Sequence, residues 1–381
     1  MRRMAQSRSL IGLLLFFYIG AMALANVLTP ERSFSDTENR VLEQRPDFSL
    51  RTLISGQFTS DYERSASDQV ALRNIWVGMK TDLDRAMGKK ESNGVFLGKD
   101  GYLMERFTSP SDAELEERAQ AIRAFDGAVP GLRKVIMLVP TAAALFPEKL
   151  PAHVPVGDQL ADLKRIGGLL PPNIQVTDAY SALYAERDQP LFYKTDHHWT
   201  TKGAYYAYRQ LSDQLGIVPQ EESSFRIDLA TDEFYGSLYS KSGFRRLKPD
   251  EISIYRPKQE GPVKVAYVEE GRVTESLYEK DRLNEKDKYA VFLGGNHALI
   301  RIVTDGPPEK KLLVIKDSYA NSLIPFLTKH YGEIDVVDLR YFTDSLLDLT
   351  REREYRDMLI LYNIKTFFED PSILNLSEEA S

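Results

Sequence analysis

Apolar residues run uncharged from Leu10 to about Leu28, interrupted only by Gly12, Gly20 and Asn26. From Thr29 to about Leu53 the chain turns polar and is punctuated by Pro30 and Pro46, as in a stalk. Between Phe58 and Met87, apolar positions (Tyr62, Val70, Leu72, Ile75, Trp76, Met79, Leu83) recur at helical spacing among charges, which predicts an amphipathic helical region. Asn93 through Leu103 reads as a hairpin turning at Lys99-Asp100-Gly101, and Ser111 to Phe125 as a helix. Short apolar runs then alternate with helical patterns, the mark of an α/β protein with a mostly parallel sheet flanked by helices. The predicted strands are Lys134 to Val139, Ile174 to Thr177, Tyr289 to Leu293, Leu312 to Ile315, Ile334 to Val337 and Met358 to Tyr362. The predicted helices are Asp158 to Leu169, Lys202 to Leu215 and Tyr319 to Tyr331. Residues from about 220 to 288 break this rhythm and predict an irregular or β-rich insertion. The organisation expected is therefore a membrane segment over 1–28, an extracytoplasmic stalk over 29–55, and an α/β domain over 56–381 carrying that insertion.

Charge settles the direction of the first segment. Arg2, Arg3 and Arg8 precede the apolar run, and a basic flank keeps the N-terminus in the cytoplasm. The run just reaches the ~20 residues needed to span a bilayer. It also ends in Ala23-Leu24-Ala25, a small-x-small cleavage pattern, so signal anchor and signal peptide both remain open. Either way the rest of the chain lies outside the cytoplasmic membrane. A net charge of −7 argues against nucleic acid as a partner. The absence of cysteine excludes disulfides, thiolate metal sites and a cysteine nucleophile.

Two segments carry chemistry. In Asp196-His197-His198-Trp199, the aspartate and the second histidine are two apart, so in extended chain they project to one side. That spacing lets the carboxylate hold one imidazole nitrogen and leaves the other as a general base. Thr200 or Thr201 would cap the helix that follows. In the second segment, an apolar strand ends directly at Lys316-Asp317-Ser318, where a helical pattern begins. A serine there displays its hydroxyl at the sheet's carboxyl edge, next to the N–H groups of a helix start. A weaker third segment is an apolar run ending in Gly294-Gly295-Asn296 beside His297. Each has a plainer reading: a structural Asp-His pair, an N-cap, a turn. Zinc on Asp196-His197-His198 is a further alternative, but no second ligand cluster is evident and no metal or cofactor is expected. His153 and His330 read as structural or surface residues.

The motif Tyr193-Lys194-Thr195-Asp196-His197-His198-Trp199-Thr200 resembles the signature of the DHHW family of bacterial exported proteins. That family is similar to the SGNH-hydrolase-like proteins of alginate O-acetylation, the AlgJ and AlgX type. The resemblance extends to Phe34 through Arg40, Asn93 through Leu103 and Leu313 through Phe326. It implies an SGNH-like fold with Ser318 as nucleophile, His198 as general base and Asp196 as its orienting partner. Gly295, Asn296 and Tyr319 would supply oxyanion or substrate contacts. The residue before Asp317 is Lys316, where the common form has Gly-Asp-Ser. The activity implied is an extracytoplasmic O-acyltransferase, O-acetyl above all, or an acetylesterase, acting on a cell-surface or secreted polysaccharide. Its acyl donor would come from a multi-pass membrane acyltransferase partner. The alternative is a non-catalytic glycan-binding or assembly component of a polysaccharide modification or export complex.

Overall fold

The structure is a computed structural model describing residues 2–35 and 40–378, so Asp36 to Asn39 of the Phe34–Arg40 element fall outside it. The chain divides into two compact units, Met1–Lys89 with Gly243–Arg245, and Lys90–Ser242 with Arg246–Ser381. The first unit thus takes in residues 56–89, which the sequence pattern had grouped with the α/β domain.

In the first unit the apolar run forms helix α1 (Arg2–Leu28), whose Ile11–Leu28 stretch is long and apolar enough to cross a membrane. The amphipathic region forms α2 (Gln57–Gln69) and α3 (Arg73–Ala86). Leu72, at φ +59°, breaks the two apart, since a side-chain-bearing residue in the left-handed region cannot continue a helix.

The second unit opens with the expected hairpin, Val95–Leu97 pairing with Leu103–Glu105 around a turn at Lys99–Gly101. Helix α4 (Asp112–Ala128) starts at a capping box between Ser111 and Glu114. An eight-stranded sheet follows: β1 (Arg133–Val139), β2 (Gln175–Thr177), β3 (Val263–Tyr267), β4 (Arg272–Thr274), β5 (Leu299–Thr304), β6 (Lys311–Lys316), β7 (Glu333–Val337) and β8 (Asp357–Asn363). The order across the sheet is β4-β3-β5-β7-β6-β8-β1-β2. Strands β7, β6, β8, β1 and β2 are parallel, whereas β4, β3 and β5 join antiparallel. The sheet is therefore mixed instead of mostly parallel. The antiparallel flank arises within and just after the 220–288 segment, where β3 returns as β4 through a tight turn at Gly271 (φ +62°).

Apart from the exposed edge strand β2, the parallel strands are buried on both faces, and their two-residue period sorts them into separate cores. Leu312, Val314, Leu359 and Leu361 pack in one, with Ala204, Ala207, Tyr208, Leu211 and Leu215 of helix α6 (Thr201–Leu215). Leu313, Ile315, Met358 and Ile360 pack in the other, with Leu115, Ala119, Ile122 and Phe125 of α4. Helix α5 (Gln159–Leu169) adds Ile166 to that second core.

Two elements differ from expectation. Residues Lys288–Val291 form a 3-10 turn, not a strand, and Tyr289, Val291 and Phe292 fill a third, small core with Tyr193, Phe234, Ile252 and Ile254. A short apolar run carries no period that tells strand from turn. The strand that belongs to the sheet is β5, ten residues later. The helix expected over 319–331 is a 3-10 turn, Ser318–Ser322, then one α-turn, Ile324–Leu327. Pro325 lacks the N–H that would carry a single helix through.

Candidate active site

Strand β6 lies inside the parallel block, and its carboxyl end delivers Lys316, Asp317 and Ser318. Asp317 fixes the turn. Its buried carboxylate accepts from Tyr319 N–H and from Asn363 N–H at the end of β8, each at 2.9 Å. Ser318 is left at the turn's outer corner.

The Asp-His-His-Trp loop faces it. Phe192 and Trp199 bridge in antiparallel fashion, and Tyr193 N–H donates to His198 carbonyl, closing residues 193–198 into a tight turn. The turn is braced from the 220–288 segment. Asp250 accepts from Lys194 N–H, Thr195 N–H and the Thr195 hydroxyl at 2.9, 2.7 and 2.6 Å. Thr200 then caps α6 by accepting from Gly203 N–H. Trp199, fully buried, donates through Nε1 to Tyr319 carbonyl (2.9 Å) and Ser322 Oγ (3.0 Å), so the histidine loop and the serine turn are pinned together.

These braces set up a continuous relay. Asp196 Oδ1 accepts from His198 N–H at 2.9 Å and lies 2.6 Å from His198 Nδ1, while Oδ2 accepts from Ser237 N–H at 2.7 Å. On the other side of the ring, His198 Nε2 lies 2.7 Å from Ser318 Oγ. With Nδ1–H donating to the carboxylate, Nε2 presents its lone pair to the serine hydroxyl. Burial tends to raise the Asp196 carboxyl, but the charges of His198 and His197 and its hydrogen bonds outweigh it and hold it far below the carboxylate range. Burial, seconded by His197, pushes His198 down to about 4 against the pull of Asp196. The imidazole is thus neutral at neutral pH, as a general base requires. Its ring stacks on Tyr289, 3.7 Å between centroids and 9° between planes, and Tyr289 hydroxyl donates to Ser322 Oγ at 3.0 Å.

The oxyanion candidates divide. Asn296 Oδ1 accepts from Lys316 Nζ at 2.6 Å and from Asn321 Nδ2 at 3.2 Å, tying this residue to the serine turn. Its amide N–H2 is exposed and carries no hydrogen bond among the described residues. Gly295 (φ +104°) gives its N–H to Phe292 carbonyl and its own carbonyl to Asn321 Nδ2. Tyr319 is buried. Its N–H goes to Asp317 and its hydroxyl donates to His197 carbonyl, so both donors hold the loops together instead of facing an oxyanion. Ser318 N–H, at the start of the turn where the sequence predicts free N–H groups, carries no hydrogen bond among the described residues. Of these candidate donors, Ser318 N–H and Asn296 Nδ2 are the two that carry no hydrogen bond among the described residues.

Lys316 is fully buried, and its desolvation lowers it to about 8 against the attraction of Asp338, 3.5 Å away. His297 turns away from the serine; its Nδ1 lies 2.8 Å from Glu270 and its ring packs on Tyr267. His330 Nε2 meets Tyr208 hydroxyl at 2.7 Å, remote from the relay. Asp196, His197 and His198 bring ligand atoms within 4.8 Å of one another. Both Asp196 oxygens, both His198 nitrogens and His197 Nδ1 already hold protein partners, the last at 2.6 Å from Ser237 Oγ. A metal would have to displace that network.

Sequence reasoning missed Gly236, Ser237 and Tyr289. An added Cβ on Gly236 would overlap Asp196, so only glycine lets the backbone pass the carboxylate there. The local sequence Tyr235-Gly236-Ser237 carries no pattern that ties it to Asp196. A cavity of about 440 Å³ opens beside His197 and Ser237, lined also by Glu105, Lys241, Lys365 and Thr366.

The model of the DHHW protein family matches residues 162–337, which include the relay histidine, its aspartate and the serine. A probable alginate O-acetylase AlgJ of Pseudomonas syringae pv. tomato is 28% identical over 174 residues, 42% of this chain and 43% of that protein. The chain spans under half the length of the curated relatives it matches. Among solved structures, a DHHW family protein from Eubacterium siraeum superposes with TM-score 0.66 at 23% identity, over 75% of this chain and 96% of that one. Bacillus cereus PatB1, in a structure with a sulfonyl adduct, gives TM-score 0.62 at 18% identity, over 74% and 98%. The resemblance to DHHW proteins expected from the Asp-His-His-Trp motif is borne out.

Proposed function

Proceeding from the resemblance to DHHW proteins and from the approach of Asp196, His198 and Ser318, we propose that the chain is an extracytoplasmic serine O-acyltransferase with an SGNH-like fold. Its reaction is the transfer of an acetyl group to a polysaccharide hydroxyl. The observation that carries this reading is the 2.7 Å approach of His198 Nε2 to Ser318 Oγ, with Asp196 held on the far side of the ring. A structural Asp-His pair has no need to aim its free nitrogen at a serine that ends a buried strand.

In the first half-reaction His198 Nε2 takes the Ser318 hydroxyl proton while Oγ attacks the acyl carbonyl carbon. The negative charge that builds on the carbonyl oxygen falls to Ser318 N–H and Asn296 Nδ2. Collapse breaks the bond to the donor's leaving group, which departs with the proton from His198, and leaves an ester on Ser318. In the second, His198 removes the proton of a sugar hydroxyl, whose oxygen attacks the ester. The same proton returns to Ser318 as the acetylated sugar leaves. Water in place of the sugar gives esterase activity by the same steps.

The acceptor sugar would approach through the cavity lined by His197, which adjoins His198 in the loop, and by Ser237, whose N–H holds Asp196. Helix α1 would hold the chain at the membrane, where a membrane-bound acyltransferase could supply the acyl group. The AlgJ relatives, named as probable alginate O-acetylases, support the reaction class.

The test uses the full-length chain in detergent with an acetyl-ester reporter, with and without an oligosaccharide acceptor. Acetate release by the parent, lost in Ser318→Ala and His198→Ala, is expected, with acetylated oligosaccharide when acceptor is present. Equal rates in all three proteins would refute the relay.

A further inference from the structure

The apolar face of α3 takes no part in acyl transfer, and it points outward. Ile75, Trp76, Met79 and Leu83 are spaced by threes and fours, which places them on one stripe of α3, and Leu72 precedes it at the N-cap. All are exposed, from 36% at Trp76 to 62% at Leu83. The opposite face is the packed one. Gly78 and Thr81 are buried; a Cβ on Gly78 would overlap the Arg245 guanidinium, and Gly243 closes on Thr81. An amphipathic helix in water buries its apolar stripe, whereas α3 turns its small and polar side to the protein.

What α3 is tied to indicates what covers the stripe. Asn26, near the outer end of α1, accepts Ala71 N–H at 2.6 Å, and Trp76 Nε1 donates to Ala71 carbonyl at 3.1 Å. The start of α3 is thus fastened to the last turns of the apolar helix, inside the same compact unit. If α1 spans a bilayer, Asn26 lies where hydrocarbon gives way to headgroups, and the stripe begins at that level. Tryptophan on the apolar face and flanking Lys80 and Asp82 suit that boundary.

We propose that α3 lies in the outer surface of the membrane with this stripe in the lipid, a second attachment beside the spanning helix. The proposal rests on the reading of α1 as an uncleaved anchor.

The chain has two tryptophans, and Trp199 is fully buried, so Trp76 can report on its own surroundings. Full-length protein would be reconstituted into phosphatidylcholine vesicles brominated high or low in the acyl chain, and emission compared with Trp76→Phe. The expected result is that shallow bromine quenches most of the emission that Trp76→Phe removes. The double variant Met79→Asp, Leu83→Asp, altered only at exposed positions, should still co-float with vesicles but lose that quenching. Quenching by aqueous iodide and not by bromolipid overturns the proposal and leaves the anchor standing. Protection from both overturns it in favour of a protein covering, and quenching that persists in the double variant overturns the role of the stripe. A chain that does not co-float with vesicles refutes the anchor itself.

Discussion

Replacing Asp196 with asparagine separates a catalytic relay from a structural pair, because the two readings differ by several powers of ten. The carboxylate faces three donors: His198 N–H and Nδ1–H on Oδ1, Ser237 N–H on Oδ2. A carboxamide must turn its NH2 toward one side. Turned to Ser237, it leaves a buried N–H without an acceptor; turned to His198, it opposes the backbone N–H and makes Nδ1 the acceptor. Either costs about 1–3 kcal/mol of stability, one unsatisfied buried donor. A domain stable by ~5–15 kcal/mol stays folded through that loss. The effect on turnover is larger. With Nδ1 as acceptor, Nε2 carries the hydrogen and points it at Ser318, so the base is gone; with Nδ1–H retained, the charge that steadies the imidazolium is gone. For relays of this kind the loss is about 10⁴ in kcat, or ~5 kcal/mol. The assay is kcat/KM on an acetyl ester for Asp196→Asn and parent, with urea melts to show both are folded. A folded Asp196→Asn within tenfold of the parent would refute the relay.

Other consequences follow from the same geometry. Because buried His198 is pushed down to about 4, kcat/KM should hold level from neutral pH down and fall with a midpoint near 4 instead of near 6.5. The depressed value also means the unfolded chain takes up this proton first, so stability is full above about pH 6.5 and falls as pH drops from there toward 4, measurable by urea melts. Asn296→Ala removes one of two oxyanion donors and should lower kcat by about 10²–10³ with KM little changed; an unchanged kcat would remove Asn296 from the site. Gly236→Ala places a Cβ on the Asp196 carboxylate and should cost activity well beyond its cost in stability, read from paired rates and melts.

The parts of this site that were legible in the sequence are those that local spacing encodes. Asp196 and His198 stand two apart in extended chain, and Ser318 closes an unbroken apolar strand, so both showed themselves without a partner in view. Gly236 and Ser237 lie some forty residues beyond Asp196, in a segment without regular period, and Tyr289 nearly a hundred beyond His198. Nothing local marks a glycine that must clear a carboxylate or a ring that must cover an imidazole. The same limit explains the fold. Continuous apolar runs located β1, β6, β7 and β8, but the run at Tyr289 to Leu293 matched a strand as well as the buried turn it forms. The mixed character of the sheet depends on tight turns pairing β3 with β4 and on β5, whose Arg301 interrupts its apolar pattern. The role of the 220–288 segment was not visible either: through Asp250, Gly236 and Ser237 it braces the Asp-His-His-Trp loop from behind.

The most direct measurement is the mass of the protein and its peptides after brief exposure to an acetyl-ester donor and acid quench. One acetyl group on the peptide containing Ser318, absent from Ser318→Ala and discharged on adding an oligosaccharide acceptor, is the expected result. Acetyl transfer that proceeds in Ser318→Ala, or an acyl group trapped on another residue, would contradict a serine relay.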